Sequence, residues 1–403
     1  MVELAEALKG NDAGRVRTVL SRHSDLKARL NDPLPDASFG STALLRAVGR
    51  RNQEMIAVLL GAGADINARS HWWAGSFGVL DQESGLEEFL IERGATVDVH
   101  AAARLGRLDR LRELVLAQPE LARARGGDGQ TPLHFAASVE IAQFLLEHGA
   151  QLDARDVDHE STPAQYMVRD RPAAARYLVS RGCATDLLLA AALGDVERAR
   201  ALLDADPAVV RMRVSEKYFP KQNPGSGGCI YIWTLGQNKT AHAVAREFGH
   251  EAVLRLLLER SPAALRLAWA GELGDEAAVK GLLAETPGLV KSLTEEDGGA
   301  LVNAAQQNNA QAVRVMLEAG WPVDARGQHG GTALHWAAWH GNAEGVEMLL
   351  EHKAPVEAKD RAYDGTPLDW AKHGAKNSRQ HQKGDYEKVI KGLEDPAKGL
   401  KAE

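Results

Sequence analysis

The stretch GGTALHWAAWHGNAEGVEMLLEHKAPVEAKD, residues 330–360, carries two patterns at once. One is regular. Thr332 reads as the N-cap of a short helix, Leu334 and the pair Ala337-Ala338 as its apolar face, and Gly341 as its stop. A second helix follows with Val346, Leu349 and Leu350 on one side, and the chain then turns out into a loop. The other pattern is irregular. Trp339 and His340 stand at the end of the first helix, a position that usually faces water.

The regular pattern recurs. Thr131-Pro132-Leu133-His134-Phe135-Ala136-Ala137 is followed by FLLEHGAQLDARD, Thr366-Pro367-Leu368-Asp369-Trp370-Ala371 opens another copy, and Thr42-Ala43-Leu44 is followed by VLLGAGADINARS. Thr caps the first helix, and Pro fits a first turn that needs no N–H. Small alanines let neighbouring helices approach closely. A second set of units lacks the Thr-Pro-Leu-His start and begins near residues 4, 101, 187 and 267.

These motifs resemble the ankyrin-repeat family, whose unit of roughly 33 residues starts with T-P-L-H-x-A. The resemblance extends over nearly the whole chain. It implies an all-α ankyrin-repeat solenoid of about twelve helix-turn-helix units, stacked side by side with loops along a concave face. The chain is expected to form a single array, 1–403, with possible blocks 1–99, 100–184, 185–262 and 263–403, the last ending in a charged cap or tail. The resemblance also implies that His134 and His335 tie neighbouring loops by hydrogen bonds.

Composition narrows the function. A net charge of −7 with no basic block argues against a nucleic-acid binder. No apolar run of membrane length exists, so no membrane partner is expected. The acidic start MVELAEALKGND is not a secretory signal, which makes a cytoplasmic location the expectation. Cys183 and Cys229 form neither a disulfide framework nor a zinc spacing. No metal site and no cofactor are expected.

A solenoid explains its own core, so function is sought where residues exceed that need. Three places do. In HWWAGSFGVLD, 71–81, Trp73 aligns with the capping Thr and Asp81 with the end of the first helix; Trp72, Trp73 and Asp81 then read as an aromatic platform beside a carboxylate, or as a degenerate unit patched with large side chains. The insertion 216–233 holds Tyr218, Phe219, Lys221, Tyr231 and Trp233 and reads as a folded contact loop over the groove. Its GSGG fits no phosphate-loop spacing. Third, the family layout points the last residues of each first helix into the groove: Gly49-Arg50, Leu80-Asp81, Arg104-Leu105, Ala192-Leu193, Glu247-Phe248, Glu272-Leu273, Gln306-Gln307 and Trp339-His340.

Two function classes follow. The expected one is a scaffold that binds a protein or peptide in its groove, with Trp72, Trp73, Trp233, Trp339 and His340 as contacts. The alternative is a small-molecule or carbohydrate site under the 216–233 loop, with Asp81, Glu247, Glu272 or His340 as weak catalytic candidates, since paired acids flanked by tryptophans also build glycosidase sites. Nucleophile and metalloprotease signatures are absent, which leans against an enzyme.

Overall fold

The computed structural model describes residues 1–35, 37–377 and 384–395. Among these, every regular element is helical, and the only β pairing is an isolated bridge between Arg213 and Thr240. Short helices follow one another in pairs, as in Ala43–Gly49 with Gln53–Gly61, Ala300–Gln306 with Ala310–Glu318, and Ala333–Trp339 with Ala343–Glu351. Twelve successive units can be followed from Val2–Lys9 to Tyr386–Glu394. The charged tail and the 378–383 stretch of the last unit lie outside the described residues.

Capping works as the residue types dictate. The Thr42 hydroxyl accepts from the Leu45 amide, and Asn52, Asn342 and Asp385 cap second helices in the same way. At Thr131 and Thr332 a histidine completes the box. The Thr131 amide donates to His134 Nδ1 at 3.0 Å, and His134 Nε2–H reaches the Ser161 carbonyl at 3.2 Å. His335 repeats this with Thr332 and Gly365. Each ring therefore stitches its own unit to the loop of the next, and burial pushes the His134 pKa down to about 4.

Two units depart from the pattern. The segment 72–81 forms no helix, so the third unit keeps only Glu87–Ile91. Asp81 accordingly does not end a helix, as its alignment suggested; it lies in a turn. In the fifth unit the first helix shrinks to one 3-10 turn, Pro132–Phe135, running almost directly into Val139–Glu147.

The chain separates into two compact units, residues 1–193 with 214–236, and residues 194–213 with 237–403. The first has an apolar core cluster running from Leu4 through Met55 and Ile56 to Leu90. The second is built around Leu267, Leu301, Met316, Leu334 and Leu349. The insertion thus belongs to the unit that precedes it in sequence, having left it for the short excursion 194–213.

Candidate binding surface and the folded insertion

The first candidate region is aromatic. Phe39 sits at a loop tip with φ 60°. Its ring meets Trp72 edge-on at 4.9 Å and Phe77 at 5.8 Å, while Trp72 lies 6.0 Å from Trp73. Phe39 is 43% and Trp73 49% exposed. Beside them a cavity of about 280 Å³ is lined by Phe39, Phe77, Arg46 and Arg50. Trp72 is held from behind by Asp128, whose Oδ1 accepts its indole N–H at 2.9 Å.

Asp81 has a different role from the one its position suggested. Its Oδ2 accepts from Arg69 at 2.5 Å and from the Gly78 amide at 2.6 Å. Burial still leaves its pKa above the usual carboxylate value, against the pull of Arg69. It is a structural acid that closes the 69–81 loop.

The insertion is ordered and packs back onto the loops of the two preceding units. The Gln222 and Asn223 amides donate to the Glu160 carboxylate at 2.7 Å, Gly227 N to the Asp158 carbonyl at 2.9 Å, and Ile230 N to Ser161 Oγ at 3.0 Å. Its anchor is Tyr231, fully buried, with its ring edge-on to Phe219 at 5.4 Å and its hydroxyl donating to Asp186 at 3.1 Å. Asp186 also accepts from Gln165 at 3.1 Å. Tyr231 is therefore an internal strut and not a surface contact. Trp233, two residues on, is 69% exposed. Tyr218, Phe219 and Lys221 line a cavity of about 370 Å³ that the insertion shares with Arg155, His159 and Gln165.

Under the insertion lies a polar cluster that sequence reasoning missed. Asp156 Oδ1 accepts from the Ser161 amide, and its Oδ2 from His159 N and Tyr166 Oη. Asp128 and Asp158 face His159. Burial, together with the neighbouring Asp158 and Asp156 charges, drives the Asp128 pKa up to about 6 even though His159 and Trp72 pull it down. The loop tips share one backbone feature. Phe39, Asp128, Glu160, His329 and Asp364 all adopt positive φ two or three residues before a capping Thr, where the chain turns back. Three of them hold the aromatic surface and the insertion.

The remaining candidates lie in the second unit. Trp339 is half-buried, stacked on His373 at 5.5 Å and edge-on to Trp370 at 6.2 Å. His340 Nε2 bonds the Gln306 carbonyl at 2.8 Å, its Nδ1 has no partner among the described residues, and burial lowers its pKa. Both residues do much of the packing between successive units. Glu247 pairs with Lys239. Burial raises the Glu272 pKa against Arg213, Asn303 and Lys239. Asp81 belongs to the other compact unit. Nor are the helix-end positions uniformly a surface: Leu80, Ala192 and Leu193 are buried.

The structure joins two of the three sequence features, the 72–81 stretch and the insertion, through Asp128, Asp158 and His159. No described helix is long and apolar enough to cross a membrane. A model of the single ankyrin repeat matches residues 39–71, and a model of ankyrin repeats in three copies matches residues 99–187 and 267–360, together over half of the chain. The insertion falls in the gap between the matches. With its paired helices, threonine caps and histidine stitches recurring along both compact units, the chain belongs to the ankyrin-repeat family.

Proposed function

We propose that this chain is a binding scaffold whose first compact unit takes a protein or peptide partner on the surface around Phe39, Trp72 and Trp73. Ankyrin repeats as a class serve as protein-interaction scaffolds. The observation carrying the proposal is that large aromatic rings stay exposed while their neighbours hold them in place. Phe39 and Trp73 remain open, and Trp72 is fixed beneath them by Asp128. Pre-positioned aromatics lose little entropy on binding and dominate interface energetics. Among the described residues no carboxylate pairs with Arg46 or Arg50 beside them. The partner segment therefore presents an apolar side chain next to an acidic one.

The test is capture by the immobilised full chain from an extract of the source cells, compared with a Phe39→Ala/Trp73→Ala variant. Loss of specific bands with an unchanged unfolding midpoint supports the proposal; identical capture refutes it. A second reading rests on the cavity beneath the insertion. Its Arg155, Gln165, His159 and Lys221 suit a small polar ligand, and about 370 Å³ lies within the range of small-molecule sites. Ligand-induced shifts in melting temperature that vanish in Lys221→Ala/Gln165→Ala, with Trp73→Ala unaffected, would favour that reading over the first.

A further inference from the structure

We infer that Asp128, Asp158 and His159 form a binding site for a divalent first-row transition-metal ion, of the zinc or manganese kind, in the first compact unit. One atom from each residue, two carboxylate oxygens and an imidazole nitrogen, lie within 4.8 Å of one another. His159 Nε2 stands 3.9 Å from Asp128 Oδ2 and 3.8 Å from Asp158 Oδ2. These distances exceed a hydrogen bond, so the three atoms converge on a space without satisfying one another. Donors around an ion at ~2.1 Å stand roughly 3–3.5 Å apart, so the two histidine–carboxylate distances close by under about 1 Å and the set as a whole by at most about 2 Å.

What sets this group apart from an ordinary charged loop is how the opposite atom of each ligand is held. Asp128 Oδ1 accepts the Trp72 indole N–H at 2.9 Å. Asp158 Oδ1 accepts the Gly227 amide at 3.1 Å. His159 Nδ1–H donates to the Gly228 carbonyl at 3.2 Å, which fixes the tautomer and leaves the Nε2 lone pair facing the two free oxygens. Such outer bonds orient metal ligands and set histidine tautomers. A second observation concerns burial. Asp158 is only 5% exposed, yet its Oδ2 accepts no hydrogen bond among the described residues and points at the same space. A largely buried carboxylate with one oxygen that no protein donor reaches is stabilised by a cation placed against it.

The donor set selects the ion class. Two carboxylates with one imidazole suit zinc, manganese or ferrous iron better than calcium, which takes six to eight oxygens, or a soft ion, which prefers thiolate. Three protein ligands leave coordination positions open for water or a ligand atom. His159 also lines the cavity under the insertion, so the ion stands one imidazole away from that space. Because Gly227 and Gly228 supply two of the orienting bonds, ion binding and order of the insertion are linked.

The test titrates the chelator-treated full chain with manganese chloride and zinc chloride at neutral pH, using calorimetry for both and electron paramagnetic resonance for free manganese. Saturable binding of one ion per chain is expected. Asp158→Asn and His159→Gln each weaken it by at least ~100-fold, and Trp72→Phe, which removes only an orienting bond, by ~10-fold. Bound ion also slows hydrogen exchange of the Gly227 amide in the wild type. Absence of stoichiometric binding overturns the inference, as does equal affinity in the wild type and the ligand variants. Should Asp158→Asn fail to fold, the isosteric Asp128→Asn variant decides the point by the same affinity criterion.

Discussion

Tyr231 offers the sharpest check on how the insertion is held. Its ring is fully buried against Phe219, and its hydroxyl donates to the buried Asp186 carboxylate at 3.1 Å. Truncating a buried aromatic to alanine costs ~3–5 kcal/mol. Deleting only the hydroxyl removes a bond to an ionisable group worth ~1.5–3 kcal/mol. If the insertion opens as a local unit, these costs appear as faster amide exchange in that segment, at ~1.4 kcal/mol per tenfold. The reporters are the Gly227 and Ile230 amides, bonded to Asp158 and Ser161 Oγ. Tyr231→Ala then accelerates their exchange by ~100-fold or more, and Tyr231→Phe by ~10- to 100-fold. Amides of the Ala333–Trp339 helix, in the other compact unit, keep their wild-type rates. Unchanged exchange at Gly227 and Ile230 in Tyr231→Ala would refute the strut, and so would fully unprotected amides there in the wild type.

Three further outcomes are expected. Gly75 has φ +127°, and a Cβ there would run into the Gly126 carbonyl oxygen, so Gly75→Ala lowers stability by ~2–4 kcal/mol in urea unfolding and loosens Trp72 from Asp128. Tryptophan truncations divide by role. Trp370→Ala, which removes a buried ring bonded to Asp360 at 2.9 Å and edge-on to Trp336, costs ~3–5 kcal/mol, whereas Trp73→Ala and Trp233→Ala stay within ~0.5 kcal/mol by thermal unfolding. Burial, with the Arg213 cation adding to it, holds the His242 pKa at about 4 against an ordinary 6.5. The unfolded chain therefore binds the extra proton first, and stability from this group is present above pH 6.5 and lost as pH falls toward 4. Relative to His242→Asn, the wild type loses on the order of 3 kcal/mol between pH 7 and 4, a comparison in which the opposing gain from Glu272 cancels. Parallel pH profiles for the two proteins would contradict this.

The repeat was legible because its signals are local. Thr42, Thr131 and Thr332 cap within three residues, and alanine pairs mark helix faces directly in sequence. The insertion was also legible as an ordered element, since Tyr231 and Phe219 are too apolar for a free linker. What could not be read was which aromatic faces outward. Tyr231 and Trp233 are two residues apart, and one is core while the other is open, because a single helical turn, Tyr231–Thr234, points them in different directions. Asp81 looked like a groove acid because the 72–81 stretch was laid on a helical template. Without that helix, its carboxylate turns back to Arg69. The Asp128–Asp158–His159 group was invisible for a different reason: its members come from two successive loops and gain their orientation from Trp72 and the insertion, both remote in sequence.

That remoteness bears on why the cluster is polar at all. An insertion packed on apolar side chains alone could slide, since hydrophobic contact is non-directional. Here every bond that locates it is directional. Glu160 takes two successive amides, Asp158 takes Gly227, Ser161 takes Ile230, and Asp186 takes the Tyr231 hydroxyl. Buried ionisable groups add little net stability and can cost it, but they discriminate strongly among registers. The raised pKa values of Asp128, Asp156 and Asp186, each caused first by burial, measure that cost. Replacing Asp186 with Asn and Tyr231 with Phe removes the charge and the hydroxyl while an amide oxygen still caps the Leu189 N–H, and should therefore retain much of the stability. The same replacement should broaden the positions the insertion occupies, and a partner or ion that depends on one position would bind the softened variant less tightly while its unfolding midpoint barely moved.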